Sequence, residues 1–166
     1  QANAFGTGNN IGITVNTSRV YRTIALQHTN PYFTDDGVSR TVDLYYRTTR
    51  PPIYLTSVDF KVVTKGASVN FGVPFTEFDR VFLGLGAEET QVDTFSNSPT
   101  RYLEYVKDFS GDADGIGSVT TRSYPLTAAW QRDNRDSALI PTKGRYRRAN
   151  FEISPTGSAM YYKTTY

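Results

Sequence analysis

The 166-residue sequence predicts an all-β protein, an antiparallel meander of about seven complete strands with partial strands at its ends. Three features predict this fold. Apolar and polar residues alternate with a period of two in successive segments, which is typical of strands with two unlike faces. Short turns and longer connections alternate along the chain. Many of the 12 Tyr and 10 Phe lie close to the ends of the predicted strands.

The alternation is clearest in the first three predicted strands, "IGITV" (11–15), "TIALQ" (23–27) and "TVDLYYRTT" (41–49). Each has apolar residues on one parity and polar or charged residues on the other.

The next two predicted strands are longer. In "VDFKVVTKGASVNFGVPF" (58–75), apolar residues occupy even positions up to Val62 and odd positions from Ala67 onward, so we expect a β-bulge near Val62 and Val63. In "RVFLGLGAEE" (80–89), aliphatic residues share one parity and two glycines occupy the other.

A long connection is predicted from Ser96 to Val119, and inside it "RYLEYVKDF" (101–109) is the segment whose spacing allows a helix. Two further strands are predicted in "RSYPLTAAWQRD" (122–133) and "RRANFEIS" (147–154). Another strand begins in "MYYKTTY" (160–166).

The connections place tight turns at one end of the meander and longer segments at the other, with "NTSR" (16–19) as a short exception. This is the plan of an outer-membrane barrel, whose turns face the periplasm and whose loops face outward. In such turns Gly supplies a positive φ, Pro fixes φ, and Asp or Asn caps its own turn. The predicted periplasmic turn residues are Asn30, Pro31, Tyr32, Phe33, Asp35, Gly37, Asp136, Pro141, Thr142 and Gly144.

The parity of the strands leaves two architectures open. In a soluble sandwich the apolar parity faces a second sheet, whereas in a membrane barrel it faces lipid and the polar parity lines a wet interior. Aromatic rings at strand ends favour the barrel, because amphipathic rings suit a membrane interface. The rings assigned to strand ends are Tyr21, Tyr32, Phe33, Tyr54, Phe75, Phe78, Phe95, Tyr102, Tyr124 and Tyr146.

If the chain forms a barrel, its strand residues divide into two sets. The apolar set, predicted to face lipid, is Ile11, Ile13, Val15, Ile24, Leu26, Val42, Leu44, Val69, Phe71, Val81, Leu83, Leu85, Leu126, Trp130, Phe151 and Ile153. The polar set, predicted to face the lumen, is Asp43, Arg47, Asn70, Glu88, Gln131, Arg148, Asn150 and Glu152. We expect opposite charges in the polar set to compensate one another, with Arg148 directed at Glu88 or Glu152.

The composition excludes several kinds of chemical site and disfavours one class of partner. Without any Cys, a disulfide framework, a thiolate nucleophile and a Cys-ligated metal are impossible, and a net charge of +2 does not favour nucleic acid as a partner. No segment approaches the run of about 18 apolar residues that a spanning helix needs, and the first residues lack a secretory leader pattern. Strands of about 9 to 11 alternating residues suffice to cross a membrane, so that possibility stays open.

Small motifs give no chemical site. "GTG" (6–8) is too short for a phosphate loop, and "GDADG" (111–115) lacks the third acidic position and the terminal Glu of a calcium loop. His28 is the single His, which excludes a multi-histidine metal site and leaves a catalytic triad unsupported. In "KGRYRR" (143–148) a strand splits the basic residues between two faces. We therefore predict no catalytic residue, no cofactor, no metal and no enzyme activity.

Segments spread over nearly the whole chain resemble successive parts of one known barrel. They are "NAFGTG" (3–8), "NPYFTDDGVS" (30–39), "FGVPFTEFDRVFLGLG" (71–86), "DSALIPTKG" (136–144) and "PTGSAMYYK" (155–163). Their order and spacing resemble those of the BamA-type outer-membrane protein assembly factors of Gram-negative bacteria.

That resemblance implies a 16-stranded transmembrane barrel in the bacterial outer membrane. It also implies preceding periplasmic POTRA domains and a lateral seam where client β-barrel proteins are folded and inserted. Residues 1–166 would be a partial barrel domain, its N-terminal half, without the POTRA domains and the C-terminal strands. The implied partners are outer-membrane lipids, the remaining strands and POTRA domains, accessory lipoproteins and client barrels.

The sequence is compatible with other functions as well. A TamA-like translocation factor shares the architecture, and a passive outer-membrane pore or structural β-barrel needs only the two-faced strands. A soluble ligand-binding β-barrel is the least favoured.

Overall fold

The computed structural model describes residues 6–51, 59–137 and 139–166. Within these ranges it contains one helix, α1 (Thr100–Ser110), and one antiparallel sheet of nine strands. The strands are β1 (Asn10–Thr17), β2 (Tyr21–Asn30), β3 (Ser39–Thr49), β4 (Phe60–Pro74), β5 (Asp79–Thr94), β6 (Gly117–Ser123), β7 (Leu126–Asp133), β8 (Tyr146–Ser154) and β9 (Tyr161–Thr165).

The sheet is a meander in which each strand pairs with its neighbours in sequence, with one exception at β5. That strand pairs with β7 along Asp79–Leu85 and with β6 along Glu88–Thr94, so β6 and β7 share one strand position. Pro125 separates them, because proline has no N–H to donate to the ladder. Its carbonyl still accepts the Gly86 N–H at 2.8 Å, which keeps the two halves aligned on β5.

The register gives the sheet two continuous faces. Leu26 lies opposite Leu44, Leu44 opposite Ala67, and Ala67 opposite Ala87, and residues of this parity form what we call the apolar face. The alternate residues form the polar face. We call the end closed by residues 31–38, 75–78 and 134–145 the turn end, and the opposite end, which includes 95–116 and 155–160, the loop end.

The bulge expected near Val62 and Val63 is wrong. β4 pairs without interruption from Phe60 to Pro74 with β5, and from Val62 to Gly72 with β3. Val62 is apolar because the polar face is covered by protein at the loop end. There it packs against the buried cluster of Val92, Val106 and Val119, which are the buried hydrophobic residues of the described ranges.

Helix α1 provides that cover. It follows Pro99 and ends at Ser110. The next residue, Gly111, caps it with a φ of 76°, which permits its N–H to bond to the Lys107 carbonyl at 3.0 Å. Val106 is fully buried against the sheet, and the Tyr105 hydroxyl lies 2.6 Å from Thr121 Oγ1. The helix thus lies in the segment whose spacing allowed one. The predicted connection nevertheless extended too far, because β6 begins at Gly117.

No helix within the described ranges has the length and apolar character needed to cross a membrane.

Candidate functional site on the two faces of the sheet

All residues of the apolar set lie on the apolar face, because the strand register brings them to one parity. Many of them are exposed: Ile13 is 72% exposed, Leu85 60% and Leu83 50%. Soluble globular monomers rarely expose a large contiguous apolar surface. This face therefore requires an apolar environment that the described residues do not provide.

The polar set occupies the opposite face, where Asp43 is the centre of one hydrogen-bond network. The Gln27 amide donates to Asp43 Oδ1 at 2.8 Å, and the Asn70 amide donates to Oδ2 at 3.3 Å. The Ser68 hydroxyl donates to the same oxygen at 3.5 Å. Neutral donors from β2 and β4 thus stabilise this carboxylate.

Tyrosine hydroxyls bind the two predicted glutamates of the polar face. Tyr45 donates to Glu88 Oε2 at 2.5 Å across the intervening Gly66, and Tyr161 donates to Glu152 Oε1 at 2.8 Å. A Cβ on Gly66 would lie 2.5 Å from the Tyr45 hydroxyl, so this glycine is what lets the ring cross β4. In the sequence Tyr45 has the same parity as Asp43 and Arg47 of the polar set, but the pattern does not reveal its bond to Glu88.

The predicted pairing of Arg148 with Glu88 or Glu152 is wrong. Arg148 Nε donates to Asn150 Oδ1 at 2.9 Å, and its guanidinium carbon lies 6.0 Å from the centre of the Phe82 ring. Arg47 lies 5.8 Å from the Tyr45 ring. Alternation gives the face of a residue, whereas its partner depends on how far each side chain reaches along that face.

The predicted turn residues lie at the turn end of the sheet. Between β2 and β3, the Asn30 side chain accepts the Tyr32 N–H at 3.0 Å, and the Phe33 N–H donates to the Val38 carbonyl at 2.8 Å. Gly37 has a φ of 80°, the conformation for which this turn needs glycine.

One carboxylate accepts three hydrogen bonds within the connection between β7 and β8. Asp136 Oδ1 accepts the backbone N–H of Thr142 at 2.9 Å and that of Lys143 at 3.1 Å, while Oδ2 accepts the Thr142 hydroxyl. The Thr142 hydroxyl and the Lys143 N–H lower the pKa of Asp136 to about 2. We call this arrangement the Asp136 clasp.

The aromatic rings assigned to strand ends do not all lie there. Phe33 at the turn end packs 5.9 Å from Phe71, measured between ring centres. Tyr102 lies instead in α1, stacked 4.2 Å from Phe60, and Tyr124 lies at the junction of β6 and β7. Tyr54 is outside the described residues.

A row of charges on the apolar face was not foreseen from the sequence. Lys65 Nζ lies 2.8 Å from Glu89 Oε1, and Arg122 Nε lies 2.9 Å from Glu89 Oε2. These three residues, the charged ladder, lie directly opposite one another on β4, β5 and β6. Part of the signal was present, because Lys65 and Glu89 continue the apolar parity of β4 and β5. Arg122 does not, because the apolar residue of β6, Val119, lies on the other parity.

With this geometry established, comparisons with known proteins identify the family. Residues 3–166 match the model of the Omp85 superfamily domain. The chain belongs to the Omp85 superfamily. The nine-stranded antiparallel sheet confirms the predicted all-β fold of this Omp85 domain. Because its relatives are outer-membrane proteins, the predicted outer-membrane location is confirmed as well.

Two known proteins are similar to this Omp85 domain over nearly its whole length. It is 39% identical over 169 residues to the outer membrane protein assembly factor BamA of Neisseria meningitidis serogroup B, a match that covers 100% of the chain and 21% of the relative. Its fold is similar to the crystal structure of Haemophilus ducreyi BamA lacking POTRA domains 1–3, with a TM-score of 0.80 and 24% identity. That match covers 99% of the chain and 32% of the crystallised protein.

The remaining motifs of the Omp85 domain have structural positions. His28 lies on the apolar face opposite Ile11 and Val42. Gly6 and Gly8 adopt φ values of 72° and 76° ahead of β1. Among the residues described, no group of three or more His, Asp or Glu is placed to hold a metal ion.

Proposed function

We propose that this chain forms part of the wall of an outer-membrane barrel that folds and inserts other β-barrel proteins. The apolar set faces lipid and the polar set faces the lumen. The turn end faces the periplasm, near POTRA domains and accessory lipoproteins, and the loop end faces outward. The complete barrel has 16 strands, as the resemblance implies.

One observation carries this proposal: an eight-position meander with a continuous exposed apolar face and a continuous hydrogen-bonded polar face. A soluble sandwich would bury the apolar parity against a second sheet. Here the exposed face matches the lipid-facing band of a membrane barrel, about 25 Å tall, and the polar face matches a wet interior.

The proposed activity involves no covalent chemistry. The carboxylates of the polar face accept hydrogen bonds from tyrosines and amides on other strands. Such bonds hold the strands of the sheet together. The identity to the Neisseria assembly factor over the whole chain supports assembly as the function, and the chain spans about a fifth of that relative. The assembly of clients, and the seam where it occurs, belong to the complete protein.

The test reconstitutes the complete gene product that carries this chain into lipid vesicles, then adds a urea-unfolded client β-barrel. We expect the client to fold faster than in empty vesicles, measured by its resistance to added protease. The matched control is vesicles holding a passive porin at equal density. If the protein conducts ions but leaves the folding rate equal to that control, it is a pore and the assembly function is refuted.

A further inference from the structure

The charged ladder ends the apolar face towards the loop end, where Lys61 and Asp93 continue the same parity as a further ion pair at 3.6 Å. Lys65 and Arg122 share a single carboxylate, so the three residues together carry one positive charge. Both cations are accessible, with 59% and 66% of their side chains exposed, whereas Glu89 is 26% exposed. An exposed excess charge next to hydrocarbon requires a partner from the membrane.

Arg122 is held in position from the opposite side. Its backbone N–H donates to the Ser158 hydroxyl at 2.6 Å, and its carbonyl accepts the Ser158 N–H at 2.9 Å. The connection between β8 and β9 thus fixes Arg122 at the edge of the ladder. Since Glu89 binds Arg122 through Nε, the two terminal guanidinium nitrogens remain available to an anion.

An apolar groove begins beside the ladder. It has a volume of about 570 Å³ and includes Lys65, Glu89 and Arg122 at its charged side. The small Ala87 is one of its lining residues, and it lies opposite another small residue, Ala67, on β4. The apolar and aromatic residues that line it are Ile24, Leu26, Leu44, Tyr45, Tyr46, Ala87 and Tyr124.

The depth of the ladder matches a headgroup region. On β4 the apolar parity runs from Val73 at the turn end to Ala67, and Lys65 follows. With about 3.3 Å per residue and a tilt near 40°, Val73 and Lys65 differ in height by roughly 20 Å. The hydrocarbon-facing band of such barrels is about 25 Å tall, so the ladder lies at its loop-end boundary.

We propose that the ladder and groove bind one lipid A molecule of the outer leaflet. A lipid A phosphate lies between Lys65 Nζ and the Arg122 guanidinium, and an acyl chain occupies the groove over Ala87. Arginine binds phosphate through paired N–H groups, and the lysine adds a point charge. The inference rests on the proposed function, because it requires the apolar face to meet lipid and the loop end to face outward.

The test uses native mass spectrometry of the complete detergent-purified protein titrated with bisphosphorylated lipid A, phosphatidylglycerol or diacylglycerol. A triple variant with Lys65→Gln, Glu89→Gln and Arg122→Gln removes all three charges of the ladder. No charge is then left without its protein partner. We expect lipid A to bind this triple variant more weakly, by about fivefold, because the ladder loses one net positive charge. Glu89→Gln alone should strengthen binding, because both cations then lack a protein partner.

Two further variants separate the groove from the charge. Ala87→Phe fills the groove and should weaken lipid A binding while leaving the ladder unchanged. Asp79→Asn with Arg132→Gln removes the ion pair at the turn end of the same face, joined at 3.5 Å, and should leave lipid A binding unchanged.

Equal lipid A binding by the triple variant and the unsubstituted protein would overturn the inference. So would phosphatidylglycerol or diacylglycerol binding as tightly as lipid A. These outcomes are distinct from a failure of the proposed function, in which the unsubstituted protein would fold the client no faster than vesicles holding a passive porin.

Discussion

At the scale of single residues, the polar face is stabilised by hydrogen bonds from neutral groups to carboxylates. Asp43, Glu88 and Glu152 accept from amides or tyrosine hydroxyls that lie one or two strands away. Hydrogen bonds to a charged acceptor contribute more than those between neutral groups, about 1.5–3 kcal/mol each. The face can therefore hold acidic groups in fixed positions without pairing each with an arginine.

Gly66 allows the bond between Tyr45 and Glu88, so we predict that Gly66→Ala destabilises the barrel by about 1–3 kcal/mol. The new Cβ would lie 2.5 Å from the Tyr45 hydroxyl and 3.0 Å from the Ala87 carbonyl oxygen. Urea unfolding of the complete protein in lipid vesicles measures the change in free energy of unfolding.

Gly12→Ala is the matched control, because Gly12 also lies in a strand and its Cβ would meet Gln27 Cβ at 3.7 Å, an ordinary contact. It should leave the free energy of unfolding nearly unchanged. Adding Tyr45→Ala to Gly66→Ala should recover part of the loss. Equal destabilisation by the two glycine substitutions would show that crowding of Tyr45 is not the cause.

The Asp136 clasp predicts a pH dependence at the turn end. The pKa of Asp136 is lowered from 3.8 to about 2, so its stabilising effect is complete above the unfolded value and is lost as the pH falls through about 2. Carboxyl ¹³C NMR of labelled aspartate should give a titration midpoint near 2. Thr142→Ala removes the largest cause and should raise the midpoint towards 3.8. A midpoint near 3.8 in the unsubstituted protein would refute the clasp.

At the scale of elements, period-two alternation predicted the strands because both sides of each strand have a constant environment over most of its length. The row Ile13, Leu26, Leu44, Ala67 and Ala87 shows this, since each residue lies opposite the next across the sheet. Where the environment is uniform, parity alone fixes the face of every residue.

Period-two alternation gave wrong predictions where the surroundings of one face change along a strand. Val62 resembles the start of a bulge because α1 covers the polar face there, and the sequence does not reveal which strand a connecting helix will cover. The predicted long connection wrongly included the start of β6 for a similar reason, because Val119 packs against Val106 of that helix. The charged ladder was missed because its residues interact across three strands and not along one.

Adjacent alanines on β7 offer a direct test of which face meets lipid. Ala128 lies on the apolar face opposite Leu83 and Phe151, and we predict that Ala128→Arg destabilises the barrel by about 2–4 kcal/mol. Ala129 lies on the polar face beside a crevice of about 480 Å³, so Ala129→Arg should cost much less. Urea unfolding in vesicles measures both, and equal costs would contradict the assignment of the faces.

At the scale of the whole molecule, the strand order of the described ranges ends at two edge strands, β1 and β9. β1 pairs only with β2 and β9 pairs only with β8 among the described strands. Each edge presents backbone N–H and C=O groups, and in hydrocarbon every unsatisfied group costs several kcal/mol. Barrel closure removes such edges, so the stability of this wall depends on strands that continue it on both sides.

That dependence predicts complementation between two chains. We expect the 166-residue chain expressed alone to aggregate or remain protease-sensitive in detergent, because its edges are unpaired. Coexpression with a second polypeptide that supplies the rest of the complete protein's barrel should give a protease-resistant complex that migrates faster on gels when unheated. A chain lacking β1 serves as the control and should complement poorly, because the closing register is lost. A monomeric, protease-resistant form of the isolated chain would show instead that β1 and β9 pair with each other, and the wall would then be a small barrel of its own.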